Sequence, residues 1–183
     1  MTQNVTILLV EDEIWMLEGI EDLVQTIDIG YDVNTLTANN GVEALKLLDD
    51  QCPDLIISDI MMPKMDGIEF LKHVRSSHRL QHIPFIFLTA RSEPQDRLQG
   101  SLSGADLYLV KPFKTDELLG LIKTQLDKAF RRQSAQEETF SQFKKGLMQI
   151  LNHEFRTPLT YVTAYSEMLV QGFNAQQQDN SFQ

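Results

Sequence analysis

Short runs of apolar residues alternate with amphipathic stretches along the first 111 residues of the chain. The amphipathic stretches repeat their apolar positions every three to four residues, which is the spacing of one helix face. The apolar runs have the length of strands and are apolar on both faces, which is typical of a parallel sheet covered by helices on each side. They lie at residues 5–10, 54–58, 84–88 and 106–110, with a weaker run at 33–36. The pattern predicts a doubly wound α/β domain whose five-stranded parallel sheet has the order 2-1-3-4-5.

The pattern changes to helix after residue 113 and does not return to strand. Apolar residues recur every seven positions, as in a coiled coil, with a polar interruption in each series. The two series are Leu119, Leu126, Gln133, Phe140 and Leu147, and Ile122, Ala129, Gln136, Phe143 and Ile150. One small domain cannot bury so long an apolar face, so we expect a long C-terminal helix that forms a coiled-coil homodimer. The alternative is a flexible charged linker at residues 131–138 between two shorter helices.

These patterns divide the chain into four predicted segments. Residues 1–131 form the α/β domain, residues 132–145 a helical linker and residues 146–173 a further helical segment. Residues 174–183 are polar and lack periodicity, so we expect this tail to be disordered.

The charge of the chain excludes some classes of function. The chain has 26 acidic residues against 16 Lys and Arg, a formal net charge of −10, and the basic residues are scattered. Because a nucleic-acid-binding surface needs clustered Lys and Arg, we expect no nucleic-acid partner. No apolar run approaches the roughly 20 residues that span a bilayer, and the N-terminus lacks the features of a secretory signal. We therefore expect no membrane span and a cytoplasmic location.

Polar side chains stand at the carboxyl ends of four predicted strands, which is where open α/β sheets bind ligands. They are Glu11 and Asp12 after strand one, Asp59 at the end of strand three, Thr89 and Ala90 at strand four, and Lys111 after strand five. Converging carboxylates repel one another unless a cation lies among them, and Mg²⁺ prefers oxygen ligands. We predict a Mg²⁺ (or Mn²⁺) site with Asp12 and Asp59 as direct ligands. Glu11 would act through a water, and the Met61 carbonyl would complete the shell.

Beside such a metal, Asp59 can act as a nucleophile on phosphorus and form an acyl phosphate. Lys111 would supply positive charge to one phosphoryl oxygen, and the Thr89 hydroxyl and Ala90 N–H would donate to another. Each residue alone has an ordinary structural role, because a carboxylate after a strand often caps a helix and a Lys-Pro step is often only a turn. Their agreement at neighbouring strand ends favours a functional site.

These residues carry a resemblance to the response-regulator receiver family, over roughly residues 4–131. The matching motifs are Leu8-Leu-Val-Glu-Asp-Glu13, Ser58-Asp-Ile-Met-Met-Pro63 with Asp66-Gly67, Leu88-Thr-Ala90 and Lys111-Pro-Phe113. The resemblance implies a flavodoxin-like receiver fold with Asp59 as phosphoacceptor. It also implies a phosphohistidine donor, on a histidine kinase or phosphotransfer protein, and a switch pair, Thr89 and Tyr108, that repacks on phosphorylation.

A second motif, Asn152-His-Glu-Phe-Arg-Thr-Pro-Leu-Thr160, lies within the long helical segment. A lone histidine on a helix is usually a surface residue, but this stretch resembles the H-box of histidine kinase dimerisation and phosphotransfer domains. The resemblance implies that His153 is phosphorylated, that Glu154 is the base beside it and that Thr157 serves phosphatase reactions. The sequence after Gly172 holds neither a second phosphotransfer helix nor an ATP-binding domain. We expect the N-terminal part of a hybrid histidine kinase, which by itself catalyses only phosphorylation and dephosphorylation of its own aspartate.

Our hypothesis is that phosphorylation repacks strand five and the helices on either side of it, and that the long helix carries this change to His153. One alternative is a dimerisation scaffold that is never phosphorylated, and another is a stand-alone response regulator with a helical output. A flavin-binding protein of the same topology is disfavoured, because the acidic residues 11–13 would repel its phosphate.

Overall fold

The computed structural model describes residues 3–26, 28–90 and 104–179, except the side chains of residues 152–161, 164 and 169–179. The chain divides into two compact units, residues 1–132 and 133–183. The described elements are β1 (Gln3–Val10), α1 (Ile14–Thr26), β2 (Tyr31–Ala38), α2 (Gly41–Asp50), β3 (Leu55–Asp59), α3 (Gly67–Ser76), β4 (Phe85–Thr89), β5 (Leu107–Val110) and α4 (Thr115–Asp179). The helix expected between β4 and β5 falls on residues 91–103, which lie outside the described residues.

The five strands form one parallel sheet in the order β2-β1-β3-β4-β5, so the predicted fold class and sheet order are confirmed. All residues of β3 and β4 are buried, which accounts for their apolar sequences without alternation. Strand β2 lies at one side of the sheet and pairs only with β1. Its residues largely alternate between partly buried and exposed positions. This half-exposed position accounts for its weak apolar signal.

Two apolar cores cover the two faces of the sheet. On one face, Leu17 and Ile20 of α1 pack with Leu118, Ile122 and Leu126 from the first turns of α4. On the other face, residues of α2 and α3 pack against β1, β3 and β4; they include Ala44, Leu48, Phe70, Leu71 and Val74. The parallel pairing of the strands brings their carboxyl ends to the same end of the sheet, and the helices cover its two faces.

Helix α4 is continuous from Thr115 to Asp179, so residues 131–138 are helical and not a flexible linker. The expected disorder of the tail is wrong for residues 174–179, which are helical, whereas residues 180–183 lie outside the described part of the chain. Glutamine is a good helix former, so a polar segment without periodicity can still be helical. None of the described helices is apolar enough over a sufficient length to cross a membrane.

The predicted coiled-coil register is wrong at its N-terminal end. Leu119, Ile122 and Leu126 are buried in the core of the α/β domain, and they are not available to a second copy. The same spacing of three and four residues serves packing on a sheet and packing on a partner helix, so periodicity alone cannot distinguish them. Among the described side chains from Phe140 onward, the large apolar residues are exposed, and Phe143 is 62% exposed.

Tyr31, the first residue of β2, contacts helix α4 near Phe130, where the helix leaves the α/β domain. Its hydroxyl donates a hydrogen bond of 2.5 Å to Asp127 Oδ1, and its ring stacks on Phe130 at a centroid distance of 5.7 Å. The Lys123 ammonium lies 5.4 Å from the centroid of the same ring, in cation–π contact. Burial and the Asp127 hydrogen bond raise the pKa of Tyr31 to about 12.

Substitution of Gly67 by alanine should be severely destabilising. A Cβ at this position would lie 2.2 Å from the backbone oxygen of Asp59 and 2.9 Å from the Phe87 ring, and neither can move freely. We expect a loss of at least about 3 kcal/mol in the free energy of unfolding, measured by urea denaturation. Gly19→Ala is the matched control, because a Cβ there meets nothing within 4 Å and should stabilise helix α1 by about 0.5–1 kcal/mol. Equal stability of the two variants would contradict the packing described for Gly67.

Candidate functional site

The sheet brings the predicted acidic and basic residues together at its carboxyl edge. Glu11 follows β1 directly, and its N–H donates to the Ala38 carbonyl at the end of β2. Asp59 is the last residue of β3. Lys111 follows β5, and its N–H donates to the Thr89 carbonyl over 2.7 Å. The backbone hydrogen bonds of the sheet therefore fix the positions from which these three side chains extend.

Lys111 forms an ion pair with two carboxylates at once. Its Nζ lies 2.7 Å from Glu11 Oε2 and 2.6 Å from Asp59 Oδ2. The side chains of Lys111, Glu11 and Asp59 are 14%, 2% and 12% exposed, so the pair is largely shielded from water. Shielding strengthens the attraction between the charges, and it also makes any carboxylate without a partner costly. The peptide bond between Lys111 and Pro112 is cis.

The electrostatics of the site leave negative charge in excess. Burial raises the pKa of Glu11 to about 7, the hydrogen bond from Lys111 opposes this rise, and the nearby charge of Asp59 adds to it. Burial lowers the pKa of Lys111, but its hydrogen bonds to Asp59 and Glu11 outweigh burial and hold the pKa above its usual value. Lys111 is therefore charged at neutral pH, and one ammonium does not neutralise the whole cluster.

The three predicted acidic ligands fit a divalent cation. Glu11, Asp12 and Asp59 each offer a carboxylate oxygen, and these oxygens lie within 4.8 Å of one another. Glu11 Oε1 is buried and has no hydrogen-bond partner within the described part of the chain. A buried, unpaired carboxylate oxygen is costly, and a hard cation would satisfy it. The exposed Asp12 leaves the pocket open to solvent on one side.

The loop after β3 also contacts the phosphoacceptor candidate. The Met61 N–H donates a 3.1 Å hydrogen bond to Asp59 Oδ1, while Asp59 Oδ2 is bound by Lys111. Both carboxylate oxygens of Asp59 thus have partners. The metal-binding role of the Met61 carbonyl stays a prediction. Thr89 is buried at the end of β4, and Ala90 beside it is exposed.

Tyr108 lies on β5, next to strand β4, which is itself the neighbour of the strand that carries Asp59. Its ring packs on Phe87 with centroids 5.5 Å apart, and burial raises its pKa. Its hydroxyl oxygen is buried, and it has no hydrogen-bond partner among residues 3–26, 28–90 and 104–179. The expected pairing of Tyr108 with Thr89 on phosphorylation stays a prediction.

The H-box residues are separate from the acidic site along the chain. His153, Glu154 and Thr157 fall within helix α4, but their side chains lie outside the described residues. Their predicted roles therefore stay predictions.

Sequence reasoning missed the contacts that support the loop after Asp59. The Lys64 ammonium pairs with Glu43 at 3.3 Å, and the Gly41 N–H donates to the Met65 carbonyl over 3.2 Å. The available signal was the capping pattern of Asn40 followed three residues later by Glu43, which predicts the start of a helix. This signal locates α2, but it does not reveal that the loop after β3 lies against it.

Comparison with known proteins assigns the chain to a family. Residues 7–123 match the family described as the response regulator receiver domain, and these are more than half of the 183 residues. The chain belongs to the response-regulator receiver family. It is thus a receiver of two-component signalling, a class that accepts a phosphoryl group on an aspartate.

Two curated relatives are different kinds of signalling protein. The response regulator Rre1 of Synechocystis sp. is 39% identical over 145 residues, which are 79% of this chain and 60% of that protein. A histidine kinase of Formosa agariphila is 40% identical over 126 residues, which are 69% of this chain and 9% of that protein. The chain therefore spans less than two-thirds of the length of either relative.

Two similar solved structures are receiver domains of histidine kinases. The receiver of a signal transduction histidine kinase from Syntrophus aciditrophicus is 35% identical with a TM-score of 0.62, covering 68% of this chain and 91% of that one. The receiver of a sensor histidine kinase from Pseudomonas aeruginosa PAO1 is 28% identical with a TM-score of 0.61, covering 68% and 98%. That Pseudomonas structure has a magnesium ion coordinated in its active-site cleft.

Replacement of Lys111 by methionine should destabilise the domain by about 3 kcal/mol at pH 7, because it leaves two buried carboxylates without their cation. Glu11 has a raised pKa in the folded state, so its contribution to stability is fully present below about pH 4.5 and is lost as pH rises through about 7. Lys111 opposes that loss of stability. The difference in the free energy of unfolding between the wild-type chain and Lys111→Met should therefore be smaller at pH 5 than at pH 7. Urea denaturation at the two pH values measures both effects.

Lys72→Met is the control, because Lys72 is an exposed residue of α3. It should change stability by less than about 0.5 kcal/mol. A Lys111→Met variant that is as stable as this control at pH 7 would refute the ion pair.

Proposed function

We propose that Asp59 is the phosphoacceptor of this receiver and that its donor is a phosphohistidine on a histidine kinase or phosphotransfer protein. One observation carries the proposal. The Asp59 carboxylate lies at the end of the central strand, between Lys111 and the Met61 N–H, in a pocket with two further carboxylates. This arrangement fixes the orientation of the nucleophile and provides charges of both signs around an incoming phosphoryl group.

Glu11, Asp12 and Asp59 are the residues that would hold Mg²⁺ or Mn²⁺. The bound ion would neutralise negative charge on the carboxylates and on the phosphoryl oxygens. The unpaired Oε1 of Glu11 and the excess of carboxylates support this assignment.

The transfer is a displacement at phosphorus. A bond forms between an Asp59 carboxylate oxygen and phosphorus, and the bond between phosphorus and the donor's imidazole nitrogen breaks, leaving its electron pair on that nitrogen. Lys111 binds one phosphoryl oxygen through its ammonium, which already lies 2.6 Å from Asp59. The Thr89 hydroxyl and the Ala90 N–H donate to a second phosphoryl oxygen.

The conformational switch after phosphorylation involves Thr89 and Tyr108. A buried hydroxyl without a partner costs about 1–3 kcal/mol, so a rearrangement that gives the Tyr108 hydroxyl a partner is favoured. Movement of Thr89 towards the phosphoryl group would alter the contacts on strand β5, where Tyr108 packs on Phe87.

The receiver regulates an attached histidine kinase module in this proposal. Residues 132–145 would act as a helical linker, and residues 146–173 as the first helix of a phosphotransfer domain. His153 would be its phosphorylated residue, with Glu154 as base and Thr157 in the phosphatase reaction. The continuity of helix α4, the H-box motif and the similarity to kinase receivers support this interpretation. The net charge of −10 favours protein partners over nucleic acid.

The exposed apolar residues of α4 support a homodimer through this helix. Phe140, Phe143 and Ile150 are 68%, 62% and 61% exposed, and they continue the seven-residue spacing. A lone helix that exposes so many large apolar side chains is stabilised by a partner helix. A second copy brings an identical apolar face and therefore matches the first in length and spacing.

A second candidate is a response regulator with a helical output and no kinase activity. The similarity to Rre1 over 79% of the chain favours it. The two candidates differ in whether His153 becomes phosphorylated when an ATP-binding domain of a histidine kinase is added with ATP. Phosphopeptide mapping distinguishes them.

Mg²⁺-dependent labelling of the chain by acetyl phosphate should occur at Asp59. Asp59→Asn should abolish it, because the amide cannot act as the nucleophile. Mass spectrometry after stabilisation of the acyl phosphate by borohydride reduction locates the modified residue. Asp50→Asn, at the exposed end of α2, is the control and should label like the unmodified protein. Undiminished labelling of Asp59→Asn, or labelling that EDTA does not reduce, would contradict the proposal.

Phe143→Glu should convert the dimer to a monomer. Each helix loses a large apolar side chain worth about 1.5–3 kcal/mol when buried, so dimerisation should weaken more than about 100-fold. Sedimentation equilibrium measures this change. Gln142→Glu adds the same charge one position away, outside the apolar series, and should remain dimeric. A wild-type chain that is monomeric at tens of micromolar would refute the homodimer.

A further inference from the structure

The loop from Ile60 to Asp66 carries the Met61 N–H that binds Asp59 Oδ1. Hydrogen bonds join one end of this loop to strand β4 and join the two ends of the loop to each other. The Ile60 N–H donates to the Leu88 carbonyl over 3.3 Å, and the Gly67 N–H donates to the Ile60 carbonyl over 2.9 Å. These bonds fix the ends of the loop but not its middle.

The middle of the loop has a strained backbone. Lys64 has a left-handed conformation with a φ of 67°, which is unfavourable for a residue with a side chain. The next residue closes a tight turn, in which the Met65 N–H donates to the Pro63 carbonyl over 2.8 Å. Such a conformation persists only where the surroundings determine it, so something must hold this part of the loop in place.

The first turn of helix α2 provides that support. The Gly41 N–H donates a 3.2 Å hydrogen bond to the Met65 carbonyl. The two segments are also in close contact, because a Cβ on Gly41 would lie 2.7 Å from Met65 Cγ and 2.9 Å from its Sδ. Only glycine allows helix α2 to approach the loop this closely.

Glu43 makes a second connection between the same segments. Its carboxylate accepts hydrogen bonds from Asn40 Nδ2 at 2.8 Å, the Asn39 N–H at 3.2 Å and Lys64 Nζ at 3.3 Å. These bonds, the one from Asn40 first, lower the pKa of Glu43. The Lys64 and Glu43 side chains are 63% and 41% exposed, so this ion pair alone adds little stability. The close contact at Gly41 is therefore the main support.

We infer that Gly41 and Glu43 are positioning residues for the phosphoacceptor. The first turn of α2 holds the strained loop at Lys64 and Met65, and the loop in turn keeps the Met61 N–H on Asp59 Oδ1. Lys111 fixes the other oxygen of Asp59, so the carboxylate is oriented from two sides. If the hydrogen bond from Met61 or the ion pair with Lys111 is lost, the Asp59 carboxylate can rotate. Orientation of the nucleophile accounts for a large part of the rate of phosphoryl transfer. This inference rests on the proposed role of Asp59.

Gly41→Ala tests the inference in the full chain. The added methyl group displaces the Met65 side chain and the loop with it, so phosphorylation by acetyl phosphate with saturating Mg²⁺ should slow about tenfold. The Met61 amide should also exchange its hydrogen faster, as measured by NMR, while amides of β1 and β3 keep their protection. Met65→Ala in the Gly41→Ala background removes the two closest obstructing atoms, although Phe70 Cβ remains at 3.0 Å, and should restore both the rate and the protection of the Met61 amide. Gly19→Ala is the matched control.

Four outcomes would overturn the inference. They are a wild-type phosphorylation rate in Gly41→Ala, a slower rate with an unchanged Met61 amide, equal slowing in Gly19→Ala, and failure of Met65→Ala to restore the rate. If Gly41→Ala does not fold, Glu43→Gln decides by the same two measurements at low salt, where a two- to threefold slower rate supports the inference and no change overturns it. If the wild-type chain is not labelled at Asp59, the proposed function fails, which is a separate result.

Discussion

The ion pair between Lys111 and the carboxylates of Glu11 and Asp59 is the interaction on which the site depends. Three parallel strands end at one edge of the sheet, and each delivers a charged residue there. Without a cation, burial and mutual repulsion would act against the fold. Lys111 satisfies the cluster in part, and the remaining carboxylate oxygens are the kind of ligand that a divalent ion prefers. Stability and chemistry therefore share the same few side chains.

Much of the fold could be predicted from the sequence, because strands buried on both faces must be apolar along their whole length. The residues of β3 and β4 are all buried, and their continuous apolar runs are typical of strands inside a parallel sheet. Once the strand order follows from the crossovers, the residues at the strand ends must meet. Glu11, Asp59, Thr89 and Lys111 are therefore brought together as the sequence predicts.

Other features could not be predicted, because they depend on what lies against a segment and not on the segment itself. The spacing of Leu119, Ile122 and Leu126 is the same whether a sheet or a second helix covers them, and the sheet does. The contact of Gly41 with Met65 joins two connecting segments, where no periodicity indicates a neighbour. The polar residues 174–179 are helical although they have no apolar periodicity, since helix propensity does not require one.

The fastening of Tyr31 to helix α4 limits how that helix can respond to events at the other edge of the sheet. Strand β2 forms one edge, whereas β5, with Tyr108, forms the opposite edge. Translation of α4 along its axis would break the hydrogen bond to Asp127, the stack on Phe130 and the contact with Lys123 together. A twist that begins beyond Phe130 breaks none of them. These contacts therefore hold the turns of α4 up to Phe130 against motion along the helix axis.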